Sequence, residues 1–158
     1  MWSPKGQRPI GSQVRKYEWI YAYAFVHPKS GKSFWLLLPS VNTLLMNMAL
    51  KEFSLYVDPQ QEKKILLLID GAGFHTGNGM EIPENIKLFP LPPYTPELQP
   101  TESAWPLLRE SVANDCYQDL DTFEAQLASR CKWLINHSET VRGKVGFSWI
   151  QEIECSMD

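Results

Sequence analysis

The sequence predicts an α/β domain, a mixed sheet flanked by helices, on three observations. Residues 17–26 and 33–38 are apolar runs of strand length joined across Ser30-Gly31. Residues 42–56 repeat apolar positions at helical spacing. Residues 65–70, ILLLID, are a continuous apolar run that ends abruptly in Asp70-Gly71. Open α/β sheets place their sites at the carboxyl ends of strands, which makes Asp70 the first candidate functional residue.

A length of 158 residues fits one domain, here 1–158, able to bury a substantial core. Hydrophobic residues are 44% and charged residues 21%, which excludes a disordered or collagen-like chain. A net charge of -3 argues against a freestanding basic nucleic-acid module, but not against a nuclease, whose cation-binding site is itself acidic. Cys116, Cys131 and Cys155 are odd in number and lack C-x-x-C spacing, so neither a zinc site nor a disulfide framework is indicated, and a reducing, cytoplasmic setting is expected. No run reaches the ~20 apolar residues of a membrane span, and the start lacks the apolar core of a signal peptide, so no membrane partner is expected.

Taken in order, residues 1–11 hold two prolines and two glycines and read as loop. Lys5, Arg8, Arg15 and Lys16 fit a solvated segment, with phosphate contact as the alternative. In residues 17–26, Trp19, Tyr21, Tyr23 and Phe25 fall on one face and Ile20, Ala22, Ala24 and Val26 on the other, a strand covered on both sides; core packing outweighs a base-stacking platform. Asn42 is a good N-cap for a helix burying Leu45, Met48, Ala49, Phe53 and Tyr56 and stopping near Asp58-Pro59. A helix joining a hairpin to the ILLLI strand suggests that this strand enters the same sheet by a crossover.

Residues 71–79 form a glycine-rich loop with His75, and no G-K-[ST] follows to make it a P-loop. Residues 80–85 suit a turn or short helix and 86–91 another strand. Pro90, Pro92, Pro93, Pro96 and Pro100 then stiffen the approach to Glu102, at the start of a helix predicted to bury Trp105, Leu108 and Val112. Pro106 is harmless if that helix begins near Ser103 and kinks it if it begins at Pro100. Asp121 with Glu124 resembles a capping box for a last helix burying Phe123, Leu127, Cys131 and Leu134; beyond Ser138 only a packed segment at 145–150 is expected.

Paired acids serve glycosidases, aspartic proteases and metal-dependent phosphoryl transfer. Asp70 and Glu102 come from separate elements, and their oxygen donors suit Mg²⁺ or Mn²⁺. Two such ions about 3.5–4 Å apart cleave phosphodiesters, normally with a third carboxylate bridging them.

The run LLLIDGAGFHTGNGMEIPENIKLFPLPPYTPELQPTESAW resembles the catalytic core of the DDE transposases, in particular the mariner-like branch and related bacterial insertion-sequence transposases. The match is carried by Asp70, His75, Leu91, Pro92, Pro93, Tyr94, Pro96, Leu98, Pro100, Glu102 and Trp105; upstream, WSPKGQRP and KSGKSFWLLLP resemble the segment after the family's first catalytic strand. The resemblance implies an RNase H-like fold and DNA strand cleavage and joining with two Mg²⁺ or Mn²⁺ ions. It makes Asp70 and Glu102 the second and third metal-binding acids, and it leaves His75 open between a positioning and a catalytic role. Gly71 and Gln99 stand where Asn is usual in the family and, with Tyr94, are candidates for supporting the site.

The resemblance also implies that the first, central strand and its Asp are missing, and with them the upstream DNA-binding domain. The expected partners are DNA (transposon ends and target), an upstream polypeptide supplying the first strand and Asp, and a second copy of the chain. Alone, the fragment is expected to be inactive. Two alternatives remain: a non-catalytic remnant or interaction module of a split transposase, and an RNase H-like nuclease acting on RNA or RNA–DNA hybrid.

Overall fold

Tyr21–Val26 forms strand β1 and Ser33–Leu38 strand β2 in a computed structural model of the protein, which describes residues 19–70, 79–93, 95–113 and 115–147. The two strands pair antiparallel, Tyr21 opposite Leu38 and Val26 opposite Ser33. Between them His27 N donates to Lys32 O and Gly31 N to His27 O, both at 2.8 Å, while Gly31 takes a φ of +71°, a conformation that glycine alone adopts freely. The expected start at residue 17 is corrected in part: Trp19 and Ile20 lie outside the strand. Their alternation continues in the sequence, but the partner strand ends at Leu38, and Pro39 brings no backbone donor.

Both faces of β1 are covered, as its alternation predicts. Ala22, Ala24 and Val26 pack into one apolar cluster, and Tyr23 and Phe25 into a second.

Helix α1, Thr43–Val57, begins where Asn42 Oδ1 accepts from Leu45 N at 2.9 Å. It stops at Asp58, whose carboxylate accepts from Lys63 N at 2.6 Å and ties the helix end to the next strand. Its buried face is Met46, Ala49, Leu50 and Ser54, a correction to the predicted stripe, since Met48 is 51% and Tyr56 53% exposed. Apolar residues flank this helix on both sides of its true contact line, so periodicity alone does not fix the centre of the buried stripe.

Strand β3, Ile65–Ile69, pairs in parallel with β4, Ile86–Pro90, Ile65 opposite Ile86 and Ile69 opposite Pro90. Asp70 directly follows the last residue of β3. Among the described residues the sheet is not one but two, β1-β2 and β3-β4, so the expected crossover into the hairpin's sheet is not seen. Helix α1 bridges them: Met46, Ala49 and Leu50 share one cluster with Phe25 of β1 and Ile86 of β4. Ser54 Oγ, buried, donates to Asn85 Oδ1 at 2.8 Å, and Asn85 O accepts from Ile65 N, which locks α1 to the start of both strands. The opposite face of β3-β4 is open, with Leu66 62% and Phe89 52% exposed, so β3 is not the doubly covered strand its composition predicts.

Helix α2, Trp105–Arg109, follows two 3₁₀ turns and is shorter than expected; it buries Leu107 and Leu108, with Trp105 and Val112 half-buried. Pro106 sits at its second position, where a missing N–H costs nothing. Helix α3, Leu120–Asn136, is capped by Asp119, whose side chain accepts from Thr122 N at 2.7 Å, two residues ahead of the predicted Asp121 box. Of its predicted stripe, Leu127, Cys131 and Leu134 are buried and Phe123 is half-buried. Arg130 Nε donates to Leu107 O at 2.8 Å and joins α3 to α2.

Helix α4, Ser138–Val145, was not expected, because Gly143 and Gly146 mask a two-residue apolar signal, yet Val141 and Val145 are fully buried. Together α2, α3 and α4 cover the face of the hairpin opposite α1.

Candidate active site

Asp70 is placed by β3, and Leu91 N donating to Ile69 O at 2.8 Å draws the chain beyond β4 back past the same strand end. The proline-rich segment then folds on itself. Thr95 Oγ1 donates to Pro92 O at 2.6 Å, and 3₁₀ turns form at Pro96–Leu98 and Pro100–Ser103. Glu102 N donates to Gln99 O at 3.0 Å and Ala104 N to Thr101 O at 2.9 Å, with Pro100 buried beneath. Glu102 therefore stands on a turn anchored by a fixed-φ residue, rather than at the start of a helix as the sequence suggested.

A cavity of about 320 Å³ collects these residues: Asp70, Gln99, Thr101, Glu102 and Trp105 all line it. Asp70 is half-buried and Glu102 exposed. Asp70, Glu102 and Gln99 are thus brought to one place, whereas Gly71, His75 and Tyr94 lie outside the described residues. Thr101 and Trp105 are additions that sequence reasoning did not assign to the site. The helical spacing predicts Trp105 as core, whereas its position three residues after Glu102 is the signal that places it by the site.

The rest of the wall comes from consecutive residues of two strands, the whole of β1 and positions 66–69 of β3. Successive strand residues point to opposite faces, so a cavity that touches all of them meets both strands along their edges, in the plane of the sheets. On this wall the Tyr23 hydroxyl is buried without a hydrogen-bond partner among the described residues, and burial raises its pKa above the ordinary 10.0.

The family described as DDE superfamily endonuclease matches residues 1–124, a span that holds both acids and the strands of the cavity. The chain belongs to this family. An uncharacterized protein of Sinorhizobium fredii (strain NBRC 101917 / NGR234), y4pE/y4sA, is 36% identical over 104 residues, 65% of this chain and 76% of that protein. No solved structure matches the chain. Membership of the DDE superfamily endonucleases agrees with the mixed α/β architecture and points to nuclease- or transposase-type action on DNA.

For a DDE superfamily endonuclease the donor chemistry is apt, since Asp70 and Glu102 offer hard oxygen ligands suited to Mg²⁺ or Mn²⁺. Their number falls short: among the described residues no group of three His, Cys, Asp or Glu side chains converges. Nor, among those residues, is any helix long and apolar enough to cross a membrane.

Proposed function

We propose that this chain carries the catalytic core of a mariner-like or insertion-sequence transposase, with an RNase H-like fold, that serves metal-dependent DNA strand cleavage and joining. The observation that carries the reading is the shared cavity: a strand-end Asp70 and a turn-borne Glu102 line one space in a DDE superfamily endonuclease. The two carboxylates would hold Mg²⁺ or Mn²⁺, which when bound activates the attacking oxygen and stabilises the leaving one. Asp70 is oriented by the end of β3, and Glu102 by the Gln99 O bond to its own backbone. A third carboxylate normally completes such a site, and the chain alone is inactive because two acids hold a second ion weakly. DNA ends and target are the substrates, handled in the cytoplasm or nucleoid.

The test is incubation of the chain with nicked and end-specific DNA and Mn²⁺, alone and with an added polypeptide carrying the family's first catalytic strand. Cleavage is expected only in the mixture and is expected to vanish with Asp70→Asn or Glu102→Gln. Robust cleavage by the chain alone, abolished by Asp70→Asn, would overturn the claim of inactivity. Cleavage by the mixture that survives both substitutions would overturn the assignment of the site.

A further inference from the structure

We propose that the outer side of α1 is a self-pairing surface, on which the α1 of a second copy of this chain docks antiparallel about a two-fold axis. The interface rests on the geometry of α1 and not on the chemistry assigned to Asp70 and Glu102.

Helix α1 is apolar on two opposite sides. Met46, Ala49, Leu50 and Ser54 face the core. On the other side Leu44, Met48, Lys51 and Leu55 follow one another at steps of four, three and four residues, the spacing of a coiled-coil seam. Leu44 is 69% exposed, and Met48, Lys51 and Leu55 are exposed with it. A helix whose outer side met only water would carry polar residues along that line.

The charges select the occupant. Lys51 and Glu52 are the only charged residues of α1, and neither has an ion-pair partner among the described residues. Adjacent positions on a helix do not face each other, so the two cannot pair within one chain. Antiparallel packing centred between Ala49 and Leu50 sets Leu44 of each copy against Leu55 of the other, and Met48 against the stem of Lys51. The Lys51 ammonium then meets Glu52 of the other copy, one turn beyond Met48, and the two-fold axis makes every contact twice. Parallel packing would instead oppose Lys51 to Lys51. The first turn of α1 holds no acid and its last turn no base, so the reversed dipole of an antiparallel neighbour complements both ends.

Other occupants fit less well. A membrane surface or a nucleic acid calls for clustered cations, and the one lysine of this helix is offset by Glu52. A foreign helix would have to bring an acid to Lys51 and a base to Glu52, and this chain already carries both. One helix pair is small beside the roughly 800 Å² per partner of a standard interface, so the dimer is weak and concentration-dependent.

The test is sedimentation equilibrium of the full chain from about 1 μM to about 1 mM, with circular dichroism to show that each variant keeps its fold. The parent is expected to approach twice the monomer mass and to stop there, because a two-fold pair closes. Leu44→Glu, Lys51→Glu and Glu52→Lys are each expected to raise Kd by roughly tenfold or more. Lys51→Glu and Glu52→Lys combined in one chain should restore the parent's Kd, and an equimolar mixture of the two single variants should associate as the parent does.

A monomer at every concentration would overturn the proposal, as would a mass that grows past the dimer. A dimer indifferent to Leu44→Glu and to the single charge changes would place the contact elsewhere, and failure of both the combined variant and the mixture to recover association would overturn the Lys51–Glu52 pairing and the antiparallel register with it. Parent chain that stays monomeric yet binds phosphatidylserine vesicles, and loses that binding with Leu44→Glu, would give this face to a membrane instead.

Discussion

Replacing Gly31 by alanine tests whether the hairpin turn and α4 form a single close-fitting seam. Gly31 is buried in the β1-β2 turn at φ +71°, where an L side chain costs about 1–2 kcal/mol. A Cβ at this position would collide with Ser138 O and come within 2.7 Å of Arg142 N and 2.8 Å of Arg142 Cβ. These neighbours are mostly helix backbone, so relief requires α4 to move as a body, drawing the fully buried Val141 and Val145 from the core. Overpacking of this kind costs a further ~1–3 kcal/mol, for a total of about 2–5 kcal/mol. At roughly 2–4 °C per kcal/mol for a domain of this size, Gly31→Ala should lower Tm by some 4–20 °C, measured by circular dichroism with urea unfolding alongside. Gly143→Ala is the control: it lies on the exposed side of α4 with nothing near its Cβ and should stabilise by about 0.5–1 kcal/mol through helix propensity. A Gly31→Ala loss below about 1 kcal/mol would refute the seam, because strain alone would already exceed it.

Two further changes probe the core. Among the described residues Ser54→Ala removes the one donor to Asn85 Oδ1, and Asn85 Nδ2 is already buried without a partner there, so a loss of about 1–3 kcal/mol is expected in urea unfolding. Making Asn85→Leu in the same protein should recover part of that loss, and no recovery would locate the cost elsewhere. Burial pushes the Cys131 thiol up to about 11 from its ordinary 9.0. The unfolded chain therefore releases this proton first, so stability is whole below pH 9 and falls as pH rises towards 11. Urea midpoints across that range should show the decline in the parent and a shallower one in Cys131→Ala, and parallel curves would refute the link.

Signals confined to a few neighbouring residues were legible in the sequence. Asn42 caps α1 because its side chain reaches Leu45 N three residues on, a contact set by local geometry alone. The same holds for the Ser30-Gly31 turn, the limits of β2 and α1, and the place of Asp70 after an aliphatic strand. Family membership was legible too, since the proline-rich spacing between Asp70 and Glu102 lies within one continuous run.

What depended on distant partners was decided only by the tertiary structure. Which side of α1 is buried follows from its seat across two strand pairs, not from a helix whose apolar positions spread over both flanks. The existence of α4 rests on Val141 and Val145 meeting a core built by other elements, which a short glycine-containing segment cannot announce. The division into two sheets, with a cavity between their edges, depends on which strands meet. Apolar composition states that a strand will be covered, while the identity of its neighbour is fixed by the packing of the whole chain.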